Sequence, residues 1–451
     1  MRAGSISAEH SILVARAPMS VWQGAVIASA SGVIVGIFGP AALVAVLGLV
    51  AVGLGMFRWP GLVFAAYLLL PYYKGSLSPY VPGDLTVSLA VMNGLQLIWI
   101  VRGGWRHLRR EPLIAWLALT MVVVAGAAYA PDREESLPRV AQWLALIVFP
   151  SCAALRIISE PRHVRHVIAA VLAMGLLVIV LAIPRIGGEE RLVVLEQNTI
   201  LFAVAALFVP MIGIAYFSVR NRLIEVALLV LVPMSLIVAV ASGSRGPPLA
   251  AAAVALCALA VSIAKGGSFD RRAAGLIGLG AIGAAVAFVT LGSFPEASIF
   301  RYGALVDFLS GPAATTPDSS VGARVDLFGA ALRLFAERPI FGHGTGSFAS
   351  YASGTVGLTD LPYPHNILLQ VGAELGVVGL ALVVILVASA ALGRLPASRS
   401  WVAVRLLFAF LFVEGLVSGD LYSDRMLWGL LAMLVLTPSA VSSPPTPAQG
   451  I

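Results

Sequence analysis

The chain has 451 residues, of which 59% are hydrophobic and only 11% are charged, and its mean hydropathy is +0.95. A soluble domain carries about 25% charged residues, so the composition excludes an ordinary soluble protein and favours repeated passage through a bilayer. The formal net charge of +7 does not indicate nucleic-acid binding, because the arginines lie in short loops between apolar runs, as is typical of cytoplasmic membrane loops.

Apolar runs long enough to cross a bilayer recur along the whole sequence. The first follows a polar segment at 1–20 and is typical of an uncleaved span rather than a signal peptide. The second and third are short and contain Pro40 and Pro60, so they could be re-entrant or merged. We therefore predict an all-α, polytopic membrane helix bundle of about 12–14 transmembrane helices. The predicted spans are 21–38, 41–57, 59–72, 85–101, 113–130, 140–157, 167–184, 199–217, 223–241, 247–264, 273–292, 365–391, 401–418 and 426–439.

The distribution of Lys and Arg predicts the orientation of these spans. The basic loops fall on one side, which predicts that both termini are cytoplasmic; they are 102–112, 156–166, 218–222, 265–272 and 393–400. The acidic loop 131–138 then lies on the outer face. Arg191, Arg245 and Arg425 also fall on the outer face, against the orientation rule, so each of them needs another explanation.

The only long polar segment is the predicted outer-face loop 293–364. Its second half has helical periodicity, which predicts an amphipathic helix lying on the membrane surface; the shared apolar face is Val325, Phe328, Leu332 and Phe335. Pro339 ends this helix, and Gly342, Gly344 and Gly346 predict a flexible turn that returns the chain to the bilayer. The Ser- and Pro-rich tail 440–451 is predicted to be disordered.

His365 stands between Pro364 and Asn366, where the chain enters the span 365–391. Two interpretations are open, a general base and an interfacial residue that caps the helix. In a straight helix, glycines at 372, 376 and 379 share the His365 face and permit close packing. Glu374 lies on the opposite face, where it is either a functional carboxylate or a buried structural hydrogen-bonding group.

The outer-face arginines have alternatives too. Arg245 precedes a helix start marked by two prolines, which favours an anion site at a helix N-terminus over an arginine that reaches lipid headgroups. Arg191 either binds an anion or pairs with its neighbouring glutamates, and Arg324 either serves the site or contacts headgroups. For Arg425 a salt bridge with Asp420 or Asp424 is favoured, and no third ligand supports a metal site.

The two cysteines, Cys152 and Cys257, lie in apolar runs and are predicted to be small core residues without a disulfide.

Three segments together resemble the O-antigen ligase/polymerase family, which includes O-antigen ligases, polysaccharide polymerases and protein O-oligosaccharyltransferases. The segments are SGSRGPPLA, GARVDLFGAALRLFAERPIFGHGTGSF and PHNILLQVGAELGVVGL. The resemblance covers about 191–428, the predicted catalytic domain. It implies a multi-pass enzyme of the bacterial inner membrane with its active site on the periplasmic or outer face.

The family implies transfer of a glycan from a polyprenyl (undecaprenyl) diphosphate carrier to an acceptor hydroxyl, without a metal or other cofactor. The acceptor would be a glycan, lipid A-core or a protein, in lipopolysaccharide or exopolysaccharide biosynthesis for the cell envelope. His365 matches the proposed base, and Arg191, Arg245 and Arg324 the diphosphate-binding arginines. The supporting residues would be Asn366, Glu374, Gly344, Gly346 and Arg425.

Two other classes remain open. A transporter or flippase of lipid-linked sugars would share the spans, although its substrate site would be expected near the midplane and in two matching halves. A membrane scaffold for polysaccharide assembly would not need His365.

Overall fold

The computed structural model describes residues 58–78, 84–98, 109–186, 192–195, 198–216, 222–264, 319–356 and 363–437. All of them belong to one compact unit, Gly53–Ile451. The predicted spans 21–38, 41–57 and 273–292 and the predicted tail lie outside the described residues. Within the described ranges the elements are helices, and no strand occurs.

The described helices follow the hydropathy pattern closely. In chain order they are α1 (Pro60–Leu69), α2 (Lys74–Leu77), α3 (Leu85–Gly94), α4 (Arg110–Tyr129), α5 (Arg133–Ile157), α6 (Pro161–Ala182), α7 (Thr199–Tyr216), α8 (Arg222–Ala241), α9 (Gly246–Ala264), α10 (Ser319–Glu337), α11 (Ser347–Tyr351), α12 (Ile367–Leu392), α13 (Arg399–Ser418) and α14 (Arg425–Leu436). Seven of them, within the described part of the chain, are long and apolar enough to cross a membrane: α4 to α8, α12 and α13. The prediction of an all-α polytopic helix bundle is confirmed.

Helix α7 lies at the centre of the described bundle. It is the most buried of the seven span-length helices and packs against α6, α8, α9 and α13. Its sequence is apolar all round, which is the pattern of a helix enclosed by other helices. The Tyr216 hydroxyl at its end lies 2.9 Å from Ser400 Oγ, which ties α7 to the start of α13.

Helix α5 contains a π-helical turn at Leu144–Val148. Such a turn leaves a carbonyl without its usual helical partner, and the Tyr67 hydroxyl of α1 donates to the Leu146 carbonyl at 2.5 Å. The helix begins earlier than predicted, because Asp132 caps it by accepting from the amides of Glu134 and Glu135 at 2.9 and 3.3 Å. Residues 133–138 of the predicted acidic loop therefore belong to the start of α5.

Three tryptophans fill the space between α4, α5 and α14. Trp428 meets Trp116 and Trp143 edge to face, with ring centroids 5.9 and 5.0 Å apart. Large buried aromatic rings contribute strongly to packing, and edge-to-face geometry is favoured by their charge distribution. This contact holds the start of α14 close to the functional region described below.

Helix α10 occupies the second half of the predicted outer-face loop, but its buried face differs from the predicted one. Its inner residues pack with Phe348 and Ala373 in a protein core, and they are Leu327, Ala330, Ala331 and Leu334. Val325 and Leu332 are 53% and 54% exposed. The helix packs against α12, because its small alanines permit a close approach that hydropathy alone does not reveal.

The cysteine prediction is wrong for Cys257, which is exposed on α9, and Cys152 is only partly buried. Both thiols are free. In a helix that faces lipid, an apolar side chain need not be in the protein core, so the apolar run around Cys257 did not indicate which way this residue points.

Candidate functional site

The glycine-rich loop after α10 docks into a break in α12. Gly376 has φ 65° and ψ −161° inside the helix, so the helical hydrogen bonds around it are lost. The loop replaces them with four backbone hydrogen bonds, from Val377 N to Pro339 O (2.8 Å), Val378 N to Ile340 O (3.2 Å), His343 N to Ala373 O (3.0 Å) and Gly344 N to Glu374 O (2.9 Å). The break therefore leaves these backbone groups paired.

Glycine is required on both sides of this junction. Gly342 has φ 69°, and a Cβ on it would lie 2.4 Å from the Glu374 carbonyl. A Cβ on Gly376 would lie 2.3 Å from the Ile340 carbonyl. Only a residue without a side chain allows the two backbones to approach this closely. The turn is buried and hydrogen-bonded, which corrects the prediction that it is flexible, and the break corrects the straight-helix argument for α12.

Glu374 joins the loop to a third segment. Its carboxylate accepts from the Gly346 amide at 2.8 Å and from the Tyr422 hydroxyl, and the residue is 1% exposed. Thr345 continues the contact, because its hydroxyl donates to the Val123 carbonyl of α4 at 2.5 Å. Of the two interpretations of Glu374, the geometry favours the structural one, in which a buried carboxylate is satisfied by fixed donors.

Two further polar side chains at the start of α12 bind the last turn of α13 and its connection to α14. Asn366 caps α12 by accepting from Leu369 N at 3.0 Å and donates to the Leu416 carbonyl at 2.8 Å. Gln370 donates to Asp420 at 3.0 Å and accepts from Leu421 N at 2.8 Å. Residues 366, 370 and 374 are four apart and lie on neighbouring turns, so one face of α12 holds this connection in place.

His365 stands immediately before this polar face. Its φ of 56° is unusual for a residue with a side chain, although histidine tolerates it better than most. The ring is half-buried and lies 4.4 Å from the Tyr363 ring. Its Nδ1 atom is buried without a hydrogen-bond partner among the described residues. The helix cap is Asn366, so capping does not explain His365.

The surroundings of His365 keep its imidazole neutral. Burial and the Arg324 cation lower its pKa to about 4, against weaker opposing effects of Asp420 and the Ser418 backbone. At neutral pH the ring is therefore uncharged and able to accept a proton, which is the state that a general base requires.

The structure brings two of the three predicted arginines to this region. Arg324 lies on α10 within electrostatic reach of His365 and Glu414. Arg245 stands directly before α9, and a Cβ on the adjacent Gly246 would lie 3.4 Å from Ser418 Oγ. Both basic side chains therefore belong to the same end of the bundle as His365. Arg191 lies outside the described residues.

A cleft of about 230 Å³ is lined by Tyr363, whose ring lies 4.4 Å from that of His365, although His365 itself is not in its wall. Its polar lining includes Asn198, Tyr363, Glu414, Asp420, Asp424 and Arg425. Glu414 is 6% exposed, and its Oε1 atom has no hydrogen-bond partner within the described residues. Asp424 Oδ2 and two guanidinium nitrogens of Arg425 are buried and unpaired in the same way. Unpaired buried polar atoms are costly, so their concentration around one cleft indicates a place for a polar ligand.

The predicted salt bridge of Arg425 is wrong. Within the described ranges Arg425 forms no ion pair with either aspartate, and its guanidinium lies 5.6 Å from the Tyr67 ring instead. Asp420 is bound by Gln370, while burial and the carboxylates of Glu414 and Asp420 raise the pKa of Asp424. No set of three potential metal ligands converges in the described part of the chain.

Several residues around the cleft were not predicted from the sequence. Glu414 carried a usable signal, because an ionisable residue inside an apolar span is costly and is a candidate for function. Tyr363 and Asn198 carried no such signal in the sequence, since loop tyrosines and helix-capping asparagines are common. Asn198 caps α7 by accepting from Leu201 N at 2.8 Å, so the end of the loop that contains Arg191 borders the cleft.

Part of the chain is similar to a known protein family. Residues 229–384 match the family model described as O-antigen ligase. This part of the chain is similar to the O-antigen ligase family. The resemblance predicted from the sequence is thereby confirmed, and the matched region includes Arg245, Arg324, His365 and Glu374. Arg191 and Arg425 lie outside it. No curated protein matches the chain.

The family supports a role of the O-antigen ligase or polymerase type in polysaccharide biosynthesis, carried out by a multi-pass membrane protein. The matched region covers about a third of the chain, and it contains the docked glycine loop, the break at Gly376 and the start of α12 with His365. The cleft itself is completed by α13 and α14, which lie beyond the match.

Proposed function

We propose that the protein is a membrane glycosyltransferase that moves a glycan from a polyprenyl diphosphate carrier to an acceptor hydroxyl, as an O-antigen ligase or a polysaccharide polymerase. The observation that carries this proposal is the cleft lined by Tyr363, the ring neighbour of His365, where buried polar atoms of Glu414, Asp424 and Arg425 have no partner among the described residues. A sugar with its many hydroxyl groups is the class of ligand that would pair them.

The donor brings its own leaving group, a lipid diphosphate. As the bond between the sugar C1 and the phosphate oxygen breaks, negative charge grows on the diphosphate, and fixed cations and helix N-termini stabilise that charge. Arg324 and Arg245 supply such cations beside His365, and Arg245 adds the amide groups at the start of α9. Arg191 is proposed to join them.

The acceptor hydroxyl must lose its proton as it attacks the sugar C1. His365 would accept that proton, and its neutral ring at physiological pH suits this role. The new bond joins the acceptor oxygen to C1, and the bond from C1 to the diphosphate oxygen breaks. The polyprenyl diphosphate leaves with the bonding electron pair, so no oxidant or reductant is needed.

The carboxylates of the cleft would bind sugar hydroxyls. Glu414 is the strongest candidate, because its unpaired Oε1 can accept a hydrogen bond from a hydroxyl group. The docked loop and Glu374 would hold α12 and the α13–α14 connection in the geometry that this binding needs. We place the site on the periplasmic or outer face of a bacterial inner membrane, following the predicted orientation.

The test uses cells that lack this protein and are complemented with the wild type, His365→Asn or His166→Asn. Asparagine tolerates the backbone angle of His365 but offers no base. His166 lies at the start of α6 and serves as the matched control. The polyprenyl diphosphate-linked glycans are extracted and sized, and the expected result is accumulation with His365→Asn but not with His166→Asn.

The size of the stranded glycan distinguishes the two activities. Full-length chains on the carrier would identify a ligase, and single repeat units would identify a polymerase. Lipid-linked sugar trapped on the cytoplasmic face would contradict the proposal and favour a flippase. Normal transfer by His365→Asn would contradict the assignment of His365 as the base.

A further inference from the structure

A second polar region lies at the opposite end of α12 from His365. An open groove of about 510 Å³ runs between the start of α4 and the end of α12. It is lined by Arg109, Ile385, Ser389, Leu392 and Arg394, among others. The groove lies at the opposite end of the 26-residue helix α12 from His365 and shares no lining residue with the cleft described above, so the two are separate.

The groove carries positive charge that the described residues do not neutralise. The Nη1 atom of Arg109 is buried without a hydrogen-bond partner in the described part of the chain. Arg394 is exposed, and neither arginine forms an ion pair within the described ranges. A buried guanidinium nitrogen without a partner is costly, so an anion at this position would be stabilising.

Hydrogen bonding to the carbonyl groups at the end of α12 does not explain the position of Arg109. The C-terminus of α12 carries partial negative charge and attracts cations, and Arg405 serves it by donating to the Gly393 carbonyl at 2.5 Å. Arg109 lies against the same glycine, since a Cβ on Gly393 would be 2.8 Å from Arg109 Nη1. Arg109 nevertheless makes no hydrogen bond there, which leaves its Nη1 atom for a ligand.

The wall of the groove is apolar along α12. Ile385 and Leu392 are seven residues apart on one face, and both are exposed. Cationic groups at the membrane surface next to an exposed apolar helix face match a molecule with an anionic head and an acyl chain. A free inorganic anion would use only the arginines.

We propose that this groove binds the phosphodiester headgroup of an anionic phospholipid. Arg109 and Arg394 contact the phosphate, and Ile385 and Leu392 lie along the acyl chain. Basic pockets between membrane helices bind such headgroups. Arg109 and Arg394 belong to the segments 102–112 and 393–400, which are both predicted to be cytoplasmic loops, and this would place the lipid in the inner leaflet. The inference does not depend on the proposed glycosyltransferase activity.

The test is thermal unfolding of the full-length purified protein in detergent, with added phosphatidylglycerol, phosphatidylcholine or inorganic phosphate. A ligand that binds the folded state raises the unfolding midpoint as its concentration rises. We expect phosphatidylglycerol to raise the midpoint and the other two to leave it unchanged. An equal rise with inorganic phosphate would indicate a free-anion site, and an equal rise with phosphatidylcholine would indicate general lipid stabilisation; either result overturns the proposal.

Substitutions of the groove arginines test whether phosphatidylglycerol raises the unfolding midpoint by binding in this groove. In Arg109→Gln/Arg394→Gln we expect at least about tenfold more phosphatidylglycerol to be needed for the same rise, since each lost charge-assisted contact to phosphate weakens binding on that scale. If the double variant does not fold, Arg394→Gln alone carries the test, because that side chain is exposed. The matched control is Arg110→Gln, which removes the same charge from the same helix turn outside the groove. Equal loss in the control would overturn the proposal.

Discussion

Glu374 on α12 and Glu414 on α13 are both buried carboxylates inside apolar spans, yet their surroundings differ. Glu374 is bound by the Gly346 amide and the Tyr422 hydroxyl. Glu414 interacts with Ser418 at its own helix end, while its Oε1 atom has no partner among the described residues and borders a cleft. The role of a buried carboxylate therefore depends on its hydrogen-bond partners. A carboxylate with a full set of partners stabilises the fold, and a carboxylate that lacks partners indicates a ligand site.

The same contrast separates the two regions around these residues. The glycine loop, the break at Gly376 and the face of α12 with Asn366, Gln370 and Glu374 form a network of paired groups. Around the cleft, His365, Asp424 and Arg425 retain buried atoms without partners. Changes in the first region are expected to lower stability, and changes in the second region to lower activity while stability is kept.

The largest effect is expected from His365→Asn. A general base typically contributes about 10²–10⁴-fold to the rate, and the rate of glycan transfer by the purified variant is expected to fall by that factor. The thermal unfolding midpoint is expected to stay near that of the wild type, because asparagine tolerates the backbone angle. If the unfolding midpoint of His365→Asn fell together with the rate, His365 would have a structural role instead.

Glu374→Ala is expected to lower the free energy of unfolding by about 3 kcal/mol, because two buried donors, Gly346 N–H and the Tyr422 hydroxyl, lose their acceptor. Thermal unfolding in detergent measures this. Glu374→Gln retains an acceptor oxygen and is expected to cost less. If Glu374→Ala kept the unfolding midpoint of the wild type but lost glycan transfer, Glu374 would be a residue of the functional site and not a structural one.

Glu414→Gln is expected to show the opposite pattern. One hydrogen bond between a charged group and a sugar hydroxyl contributes about 1.5–3 kcal/mol, so kcat/KM is expected to fall by about 10–100-fold. The unfolding midpoint is expected to be unchanged or higher, since a buried charge without a full set of partners is removed. A clear loss of stability with unchanged kinetics would contradict the contrast with Glu374.

The smallest effect is expected on the pH profile. Because His365 must be neutral and its pKa is lowered to about 4, kcat/KM is expected to be lost only as the pH falls through about 4. The Arg324 cation lowers this pKa, so Arg324→Gln is expected to move the acid limb upward, toward the ordinary value of 6.5. Asp420→Asn removes an anion that raises the pKa and is expected to move the limb downward. If the acid limb moved in the opposite directions in these two variants, His365 would not be the group that determines the pH dependence of kcat/KM.

Part of this organisation was predictable from local sequence. The hydropathy runs predicted the span-length helices because a bilayer span requires about 20 consecutive apolar residues with internally paired backbone groups. The position of Arg245 before a helix was predictable because two prolines follow it. Likewise, Pro364 and Asn366 indicated that a helix begins just after His365.

Other features depended on residues far apart in the chain. Gln370 binds Asp420, 50 residues away, and this contact places the α13–α14 connection beside His365. The break at Gly376 is stabilised by a loop that begins 37 residues earlier at Pro339, and nothing within the helix sequence specifies that partner. The predicted salt bridge of Arg425 failed for the same reason, since nearness in sequence did not reveal Tyr67.

The sequence by itself determined the class of protein, the positions of the described spans and the family resemblance, because these follow from hydropathy, turn residues and short motifs. Only the tertiary structure decided which polar residues are satisfied. A hydrogen bond needs its donor and acceptor at about 3 Å with suitable alignment, and that geometry arises when helices from separate parts of the chain pack together. It is the reason why Glu374 and Glu414, alike in the sequence, take different places in the molecule.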